Sequence, residues 1–599
     1  MSDVKKFNDL PTGVEKFAQV ITQHKYYVDK TLYLKSVFED DGSSVLLFTR
    51  PRRFGKTLLM DMFADFLRLN VENPEDTSFQ QKLFHDTAIM KDGAFVEKYM
   101  GKFPVIFITL KDIFGANLEI AKGTLVTMVN DLARTYSFLQ KSEALSADDR
   151  LDLKNICSDA FLKEAKNQNK LTSALSLISN CLFRHFKRPV ILLIDEYDVP
   201  LAKAASREYH KDIVDLISAF LGVLKRTPQN TNEETASIAK VVMTGCLKVA
   251  KNSIFTGVNN VVVNTVLDTQ SQFTSIIGFN KNETEKLLED YNLADYKDMV
   301  RENYDGYRFY NDEIFCPWDV INFVANNYKH KLNSAESDIK PDNYWINTSS
   351  SEILKEYIAY LGDSIRQQLQ DLVDRKTIEV CVNDSMNYDD LKLHDPDDFF
   401  SLLLHTGYLT AVGNTSENNY TVKIPNNEIL ECFNSNIRGV FKDKITAGPD
   451  HKAEKLAAAL LKGDEETAED ILSEVILSYV STRDFATKSK PENFYQGFLS
   501  GIFANCDKVI SDYRSNSDAG FGYLDFAFKD TFGKTAVVIE IKSCLTSDEL
   551  VKTQHLALEQ IKEQKYAESY IKDDSVRHVY AYAVVFSNKY CRVKAEILK

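Results

Sequence analysis

The stretch Val537–Lys542, Val-Val-Ile-Glu-Ile-Lys, decides the fold of the C-terminal part of this chain, together with Gly522–Asp525, Gly-Tyr-Leu-Asp. Both stretches predict buried strands. Side chains alternate between faces along a strand, so Glu540 and Lys542 point the same way. Acids buried in an apolar sheet are costly unless they hold a cation, and oxygen ligands suit a hard divalent ion such as Mg²⁺. The pattern therefore predicts a metal site with Asp525 as the second acid. Charged strands that face solvent are the alternative.

The elements around these strands favour the metal site. A helix is predicted after Pro491, because apolar residues follow at helical spacing. One long helix is predicted over Ser547–Tyr570, and a strand over Val576–Phe586. This order, with an aspartate and a Glu-x-Lys, resembles the PD-(D/E)xK nuclease superfamily. It is most similar to the version found at the C-terminus of bacterial AAA-ATPase-like proteins.

The resemblance implies roles for individual residues. Asp525, Glu540 and the Ile541 carbonyl would be metal ligands, with Mg²⁺ as the ion and Mn²⁺ as its substitute. Lys542 would be the catalytic lysine. The implied activity is cleavage of phosphodiester bonds.

The same resemblance offers two further positions. Glu492 would be the acid of the first helix, and Gln560 the polar residue of the second. The chain departs from the family at Tyr523, because such proteins carry an arginine before the aspartate.

A second informative region lies near the N-terminus. Val45–Thr49 predicts a short apolar strand, and Leu58–Leu69 predicts a helix. The loop between them reads Arg50-Pro51-Arg52-Arg53-Phe54-Gly55-Lys56-Thr57. A strand, a Gly-Lys-Thr loop and a helix are the context of a phosphate-binding loop. Backbone N–H groups and the helix start would cradle phosphate, with the lysine and threonine reaching phosphate and Mg²⁺.

Two further apolar strands support a nucleotide site. Pro189–Ile194 is continuous and ends at Asp195-Glu196, as expected for a strand buried on both faces of a parallel sheet. An aspartate there can support Mg²⁺, and the adjacent glutamate can polarise a water molecule. The strand Ala239–Thr244 ends in a polar residue, as the sensor strand of such ATPases does.

The sequences of these motifs resemble those of the bacterial AAA-ATPase-like family. In that family an arginine is usual at the position that Arg50 occupies here. The resemblance implies that the loop Arg50–Thr57 binds ATP, with Asp195 supporting Mg²⁺ and Glu196 as the hydrolytic base. The segment around Tyr27 and Asp29 would lie near the base of the nucleotide.

Length and composition argue against several other classes of protein. A chain of 599 residues is too long for one core, and three or four domains are expected. There is no apolar run that could span a bilayer and no signal peptide, and the nine cysteines lack Cys-x-x-Cys pairs. These features predict a cytoplasmic protein with reduced thiols, no membrane association and no zinc site.

The net charge of −15 argues against tight, non-specific coating of DNA. It does not exclude a local basic cleft. Nucleic acid as a partner, with DNA favoured over RNA, therefore depends on the predicted metal site and not on composition.

The predicted fold class is α/β and multidomain. It combines a P-loop NTPase with helices on both faces of a parallel sheet, a helical and winged-helix-like middle region, and a C-terminal restriction-endonuclease-like αβββαβ domain. The predicted boundaries are an ATPase core over 1–283, a helical lid over 284–340, the middle region over 341–450, a helical connector over 451–480 and the nuclease-like domain over 481–599. Within the core, Leu118–Asn180 is predicted to be a helical elaboration.

Three functional hypotheses follow. The first is an ATPase coupled to a metal-dependent nuclease, whose family context suggests defence. The second is a nucleotide-dependent signalling or assembly switch whose C-terminal domain binds DNA or a partner without cutting. The third keeps the nuclease active and the ATPase as a scaffold that holds nucleotide. A homo-oligomer is expected, because AAA-like sites usually need an arginine from a neighbour.

Overall fold

The computed structural model describes most of the chain. The described residues are 9–39, 43–228, 236–248, 255, 258, 261–267, 271–310, 312–332, 339–345, 365–383, 395–416, 418–433, 452–479, 492–503, 506, 508–520, 522–544, 546–587 and 590–599. They form two compact units, one of residues 1–346 and 377–430, the other of residues 347–376 and 431–599. No described helix has both the length and the apolar character that a membrane span requires.

The first unit is built on a five-stranded parallel sheet. Its strands are β1 (Val45–Thr49), β2 (Val105–Thr109), β3 (Val190–Asp195), β4 (Ile238–Gly245) and β5 (Val261–Asn264), in the order β2-β3-β4-β1-β5. All residues of β1 and β3 are buried, as expected when helices cover both faces of a parallel sheet. The strand β4 lies between β1, which precedes the phosphate loop, and β3, which ends in Asp195.

Helices connect these strands. Two precede β1, at Phe17–Thr22 and Tyr33–Phe38, and three lie between β1 and β2, at Lys56–Leu67, Ser78–Phe84 and Gly93–Tyr99. The predicted helical elaboration before β3 is confirmed, with helices Leu118–Thr135, Ala147–Ile156, Asp159–Lys163, Gln168–Thr172 and Ala174–Phe186. Helices Val199–Ala204 and His210–Phe220 lie between β3 and β4.

The region predicted to be a helical lid also contains strands. Its helices are Lys281–Asp290, Lys297–Tyr304 and Pro317–Leu332. A small antiparallel sheet accompanies them, formed by β6 (Phe279–Asn280), β7 (Tyr307–Phe309) and β8 (Asp312–Phe315) in the order β6-β8-β7. The hairpin was missed because its strands are three and four residues long, too short for a periodic pattern.

The described part of the middle region combines helices and a three-stranded sheet. The strands are β9 (Ile378–Cys381), β10 (Thr410–Ser416) and β11 (Asn419–Lys423). The helix Arg366–Val373 precedes β9, and the helix Pro396–Thr406 lies between β9 and β10. The strands pair antiparallel in the order β10-β11-β9. The hairpin predicted near Tyr408–Val422 is therefore present.

The second unit is built on a mixed five-stranded sheet. The strands β12 (Ile510–Ala519), β13 (Gly522–Asp530), β14 (Thr535–Ser543), β15 (His578–Ser587) and β16 (Tyr590–Ile597) follow one another in the sheet. Only β14 and β15 pair in parallel. Its helices are Arg366–Val373, Lys452–Leu461, Glu465–Tyr479, Glu492–Phe503, Leu550–Glu563 and Glu568–Ile571.

Two apolar cores cover the two faces of this sheet. Phe526 and Ile539 belong to the core that also contains the helices before β12. Ala527 and Val538 belong to the core that contains the helix Leu550–Glu563. The alternation from Phe526 along β13 and from Ala536 to Ile539 along β14 therefore divides the sheet as the period of two predicts, whereas Leu524 departs from it by packing in the same core as Ala527.

The long helix predicted over Ser547–Tyr570 is wrong in its length. The helix ends at Glu563, and Lys565 adopts a left-handed conformation with φ 57°. The turn between β12 and β13 lies against this break. A side chain at Gly520 would come within 1.9 Å of the Gln564 carbonyl oxygen, so the close approach requires glycine.

Candidate active sites

Asp195 is the centre of the first candidate site. It is 1% exposed, and its Oδ2 accepts a 2.6 Å hydrogen bond from Thr57 Oγ1. Its Oδ1 accepts hydrogen bonds from Thr244 Oγ1 and, at 3.0 Å, from the backbone N–H of Glu196. The carboxyl ends of parallel strands meet at one edge of the sheet. Because β4 lies between β1 and β3, the phosphate loop, the acidic strand and the sensor strand converge on one carboxylate.

Lys56 lies inside the phosphate loop. Its Nζ donates to the carbonyl oxygens of Arg50 at 2.9 Å and Pro51 at 2.7 Å, and the residue is 6% exposed. Gly55 precedes the helix with φ 92°, a conformation that glycine adopts without strain. The loop thus turns around the lysine. A bound phosphate would take the place of these two carbonyl acceptors.

Glu196, the predicted hydrolytic base, directly follows Asp195 at the end of β3. Burial raises the pKa of its carboxyl group, and the neighbouring charge of Asp195 raises it further, whereas Lys56 and Lys111 act in the opposite direction. A carboxylate with a raised pKa is a stronger base near neutral pH. Asp198 is the next acid of the motif. Its Oδ2 accepts hydrogen bonds from two backbone N–H groups that follow β4, those of Cys246 and Leu247, each at 2.9 Å.

The Arg50 side chain is directed to backbone carbonyl groups of its own unit. The guanidinium is buried, and its Nη1 donates to the carbonyl oxygens of Thr49 and Asn264, each at 2.9 Å. Its Nη2 donates to the Phe273 carbonyl at 3.2 Å. Carbonyl groups at the ends of β1 and β5 need donors once they are buried, and this arginine supplies them. The Arg50 backbone is bonded as well, since its N–H donates to the Gly245 carbonyl at 3.0 Å. The predicted contact of Arg50 with the nucleotide stays a prediction.

The remaining loop residues lie beside three different segments of the unit. Phe54 is buried, and its ring centroid lies 5.0 Å from that of Tyr307. Pro51 lies so near Gly407 that a side chain there would approach it to 2.8 Å. Arg52 is half-buried, and its charge acts on the thiol of Cys246 beside Lys56.

The N-terminal segment predicted to lie near the base is held by hydrogen bonds. Asp29 Oδ1 accepts from Thr31 N at 2.8 Å and Oγ1 at 2.6 Å, and its Oδ2 accepts from Ala88 N at 2.7 Å. The Tyr27 ring lies 5.2 Å from that of Phe17. These contacts show how the segment is fixed, and the predicted contact of Tyr27 and Asp29 with a nucleotide stays a prediction.

Arg53 joins the phosphate loop to a buried pair of carboxyl groups. Its guanidinium lies 5.0 Å from the centroid of the Trp318 ring and donates to the carbonyl oxygen of Tyr344. The backbone N–H of Tyr344 donates in turn to Glu428. Glu428 and Asp319 are both buried and lie within hydrogen-bonding reach of each other. Two carboxyl groups can form such a bond only if one is protonated.

We expect this pair to make the stability of the first unit depend on pH. Burial and then the charge of Asp319 raise the pKa of Glu428 to about 9. The folded state therefore keeps a proton that the unfolded chain loses near pH 4.5, so the free energy of unfolding falls by up to about 1.4 kcal/mol per pH unit through this range. Glu428→Gln should flatten this slope and raise the melting temperature above that of the wild type near about pH 9. Calorimetry across the pH range measures both effects.

The control for this prediction is Glu289→Gln, which removes an exposed carboxylate from the same unit. It should leave the wild-type slope unchanged. An equal slope in the Glu428 variant would contradict the shared proton.

The second candidate site lies where two strands of the mixed sheet part. The pairing of β13 with β14 ends at Phe526 and Ile539. One residue further along this register, Asp525 lies opposite Glu540. The N–H of Ile541 donates a 2.7 Å hydrogen bond to Asp525 Oδ2, a side-chain oxygen, and not to a backbone carbonyl of β13. The side chain thus replaces a ladder hydrogen bond and holds the two strands at the point where they separate.

The predicted acids and lysine are brought together here. Glu540 is 2% exposed, and its Oε1 accepts from Lys542 Nζ at 2.6 Å. Glu540 and Lys542 are two residues apart on β14 and therefore share a face of the sheet. Asp525 approaches them at the backbone N–H of Ile541, and the predicted binding of one cation by Asp525 and Glu540 stays a prediction.

The donor set at this site fits a hard divalent cation. Mg²⁺ takes oxygen ligands, and proteins often supply only one or two carboxylates while water and substrate phosphate complete the shell. Among the described residues there is no group of three or more His, Cys, Asp or Glu side chains that could hold a metal. The site offers two carboxylates, with the Ile541 carbonyl as the predicted third ligand, which agrees with the small number of protein ligands that Mg²⁺ often takes.

Two further residues were predicted at this site, Gln560 and Glu492, and the structure describes the side chain of Gln560 alone of these two. Gln560 Nε2 donates to Tyr566 Oη at 3.2 Å, across the break after the helix. Glu492 begins its helix, and its side chain lies outside the described residues. On that helix Gln496 lies at the site, where its Nε2 donates to Asp525 Oδ1 at 3.0 Å. Gln496 was not predicted from the sequence, where its signal is a spacing of four from Glu492.

Comparisons with known proteins identify two domain families in this chain. Residues 11–255 match the family model described as "Predicted AAA-ATPase", and residues 490–596 match that of the PD-(D/E)XK nuclease superfamily. An uncharacterised protein from the vnfD 5′ region of Azotobacter chroococcum mcd 1 is 22% identical, over 94% of this chain and 93% of that protein. The chain therefore carries an AAA-ATPase-like domain over residues 11–255 and a C-terminal domain of the PD-(D/E)XK nuclease superfamily over residues 490–596.

Proposed function

We propose that this protein binds and hydrolyses ATP in its first unit and cleaves phosphodiester bonds of nucleic acid in its second. The observation that carries the proposal is the group formed by Asp525, Glu540 and Lys542 where β13 and β14 part. Glu540 is buried, and Asp525 and Lys542 beside it are half-buried, so their charges are partly desolvated, a cost that an ion pair alone often fails to offset. A catalytic role accounts for that cost.

At the ATP site, separate residues would bind phosphate, hold the metal ion and activate water. Lys56 would leave the Arg50 and Pro51 carbonyls to bind phosphate oxygens, and the first turn of the following helix would donate backbone N–H groups. Thr57 and Asp195 would hold Mg²⁺, which shields phosphate charge when bound. Glu196 would orient the attacking water and accept its proton.

At the nuclease site, Asp525 and Glu540 would hold the cation. Mg²⁺ supplies a Lewis acid and lowers the pKa of a bound water molecule. Lys542 is a cation and cannot be a ligand in its charged form, so it would stabilise the negative charge that develops on the phosphoryl oxygens. Its ion pair with Glu540 keeps the ammonium group within reach of the cleaved bond.

The distribution of charge supports nucleic acid as the substrate. Residues 490–599 contain 15 Lys and Arg and 15 Asp and Glu, so the net charge of −15 belongs entirely to the rest of the chain. The acidic balance therefore gives no argument against phosphate binding by this domain. We favour DNA over RNA as the substrate, on the resemblance of the domain alone.

The two activities are proposed to be coupled in a cytoplasmic homo-oligomer. Stabilising a transferring phosphoryl group usually requires an arginine, and two of the loop arginines, Arg50 and Arg53, are already bonded to carbonyl groups. A neighbouring subunit is the proposed source of that arginine. Light scattering with and without ATP measures the assembly, and defence is the biological context that the family suggests.

An assay of cleavage tests the proposal. Supercoiled plasmid and single-stranded DNA are incubated with the full-length protein, with Mg²⁺, Mn²⁺ or EDTA, and with or without ATP. We expect cleavage that requires the divalent ion and changes with ATP. A protein that binds ATP and DNA yet never cuts would instead support the nucleotide-dependent switch.

A further inference from the structure

The Asp525 carboxylate is held from two directions. Gln496 Nε2 donates to its Oδ1 at 3.0 Å, and the N–H of Ile541 donates to its Oδ2 at 2.7 Å. Together these two donors fix the rotation of the carboxyl group about its bond to the strand. The second donor belongs to the backbone, and the first can be altered by substitution.

The position of Gln496 is itself fixed by packing. Its neighbour Tyr495 is fully buried, and its ring stacks on Phe586 with 3.9 Å between the centroids. Leu499, one turn further on, is also buried in the same core. The helix Glu492–Phe503 is therefore anchored to the sheet, and Gln496 reaches Asp525 from a rigid element.

We propose that Gln496 is a positioning residue of the nuclease site, which aims Asp525 at the divalent cation. This inference rests on the proposed nuclease function. An amide donor suits the task because it carries no charge. It orients the carboxylate and leaves the negative charge to the cation, whereas a lysine or arginine there would compete with the metal. Partners that orient metal ligands commonly change metal affinity by about 10- to 100-fold when they are removed.

The test compares two substitutions of Gln496 with a matched control. Gln496→Leu keeps the size of the side chain and removes the donor. Gln496→Glu presents a carboxylate that accepts hydrogen bonds but cannot donate when ionised. The control is Ser500→Ala, which removes a 3.1 Å hydrogen bond between the same helix and Tyr513. Binding of Mn²⁺ to the full-length protein is measured by calorimetry, with Tm as a separate measure of stability.

We expect the Kd for Mn²⁺ to rise about tenfold or more in both Gln496 variants. The control should have the wild-type Kd and a decrease in Tm similar to that of Gln496→Leu. Cleavage should fall with metal binding and recover at high Mn²⁺ concentration.

Four results would overturn the inference. An unchanged Kd in Gln496→Leu would leave the residue a purely structural role, and so would an equal loss of affinity in Ser500→Ala. Tighter Mn²⁺ binding by Gln496→Glu would mean that this position is itself a ligand. Wild-type protein that binds no Mn²⁺ would reject the proposed nuclease function and, with it, this inference.

Discussion

Glu540→Gln is expected to abolish both metal binding and nucleic-acid cleavage, and Asp525→Asn should do the same. Each substitution removes one of two carboxylates that the site offers to a hard cation, while keeping the shape of the side chain. The isosteric change matters at position 540, because this buried group is bonded to Lys542. Alanine would leave the ammonium group without that acceptor. Metal titration and cleavage of plasmid DNA are measured on the same preparations.

Lys542→Ala should separate the two properties. Metal binding should be retained, and cleavage should fall by about a hundredfold or more if the lysine stabilises charge in the transition state. The control is Glu559→Gln, which removes an exposed carboxylate from the same domain. Its metal affinity and cleavage should equal those of the wild type. Normal cleavage by Glu540→Gln would show that the acids are not catalytic and would favour the binding switch.

Lys56→Ala is expected to abolish ATP binding, whereas Glu196→Gln should bind ATP normally and fail to hydrolyse it. The lysine supplies a positive charge inside the phosphate loop, and the glutamate acts on water rather than on the nucleotide. Calorimetry with a non-hydrolysable ATP analogue measures binding, and release of phosphate measures turnover. We expect turnover of the glutamate variant to fall by about a hundredfold or more.

A loss of folding must be separated from these effects. Lys56 also bonds two carbonyl groups of its own loop, so Lys56→Met, which keeps the apolar stem, accompanies the alanine variant. The exposed Lys82→Ala serves as the charge control on another helix of the unit. Wild-type protein that is folded but has no affinity for ATP would refute the nucleotide site, and normal turnover by Glu196→Gln would refute the role of that residue as a base.

Cleavage by the Glu196→Gln variant in the presence of ATP shows whether ATP binding or ATP hydrolysis controls the nuclease. If ATP hydrolysis licenses cleavage, Glu196→Gln should lose both activities although its nuclease site is intact. If binding alone suffices, this variant should cleave DNA as the wild type does. The same plasmid assay therefore distinguishes a motor-like ATPase from a domain that acts by holding nucleotide.

The amino-acid sequence alone determined the features that depend on local pattern. Continuous apolar runs marked β1 and β3, because strands buried on both faces of a parallel sheet need no polar side. Alternation along β14 placed Glu540 and Lys542 on one face, since the period of a strand is two. The Gly-Lys-Thr between a strand and a helix located the phosphate loop. In each case the cause lies within about ten neighbouring residues.

Contacts between distant segments were decided only by the tertiary structure. The loop pattern could not show that the Arg50 side chain turns to carbonyl groups of β5, more than 200 residues away. The helical pattern of residues 547–570 could not show that the turn at Gly520 lies against the break after Glu563, because these segments are distant in the sequence. Likewise, Gln496 reaches Asp525 because β13 and β14 part there. Periodicity records which face of an element is apolar, whereas the partner of a polar side chain depends on which elements the folded chain places beside it.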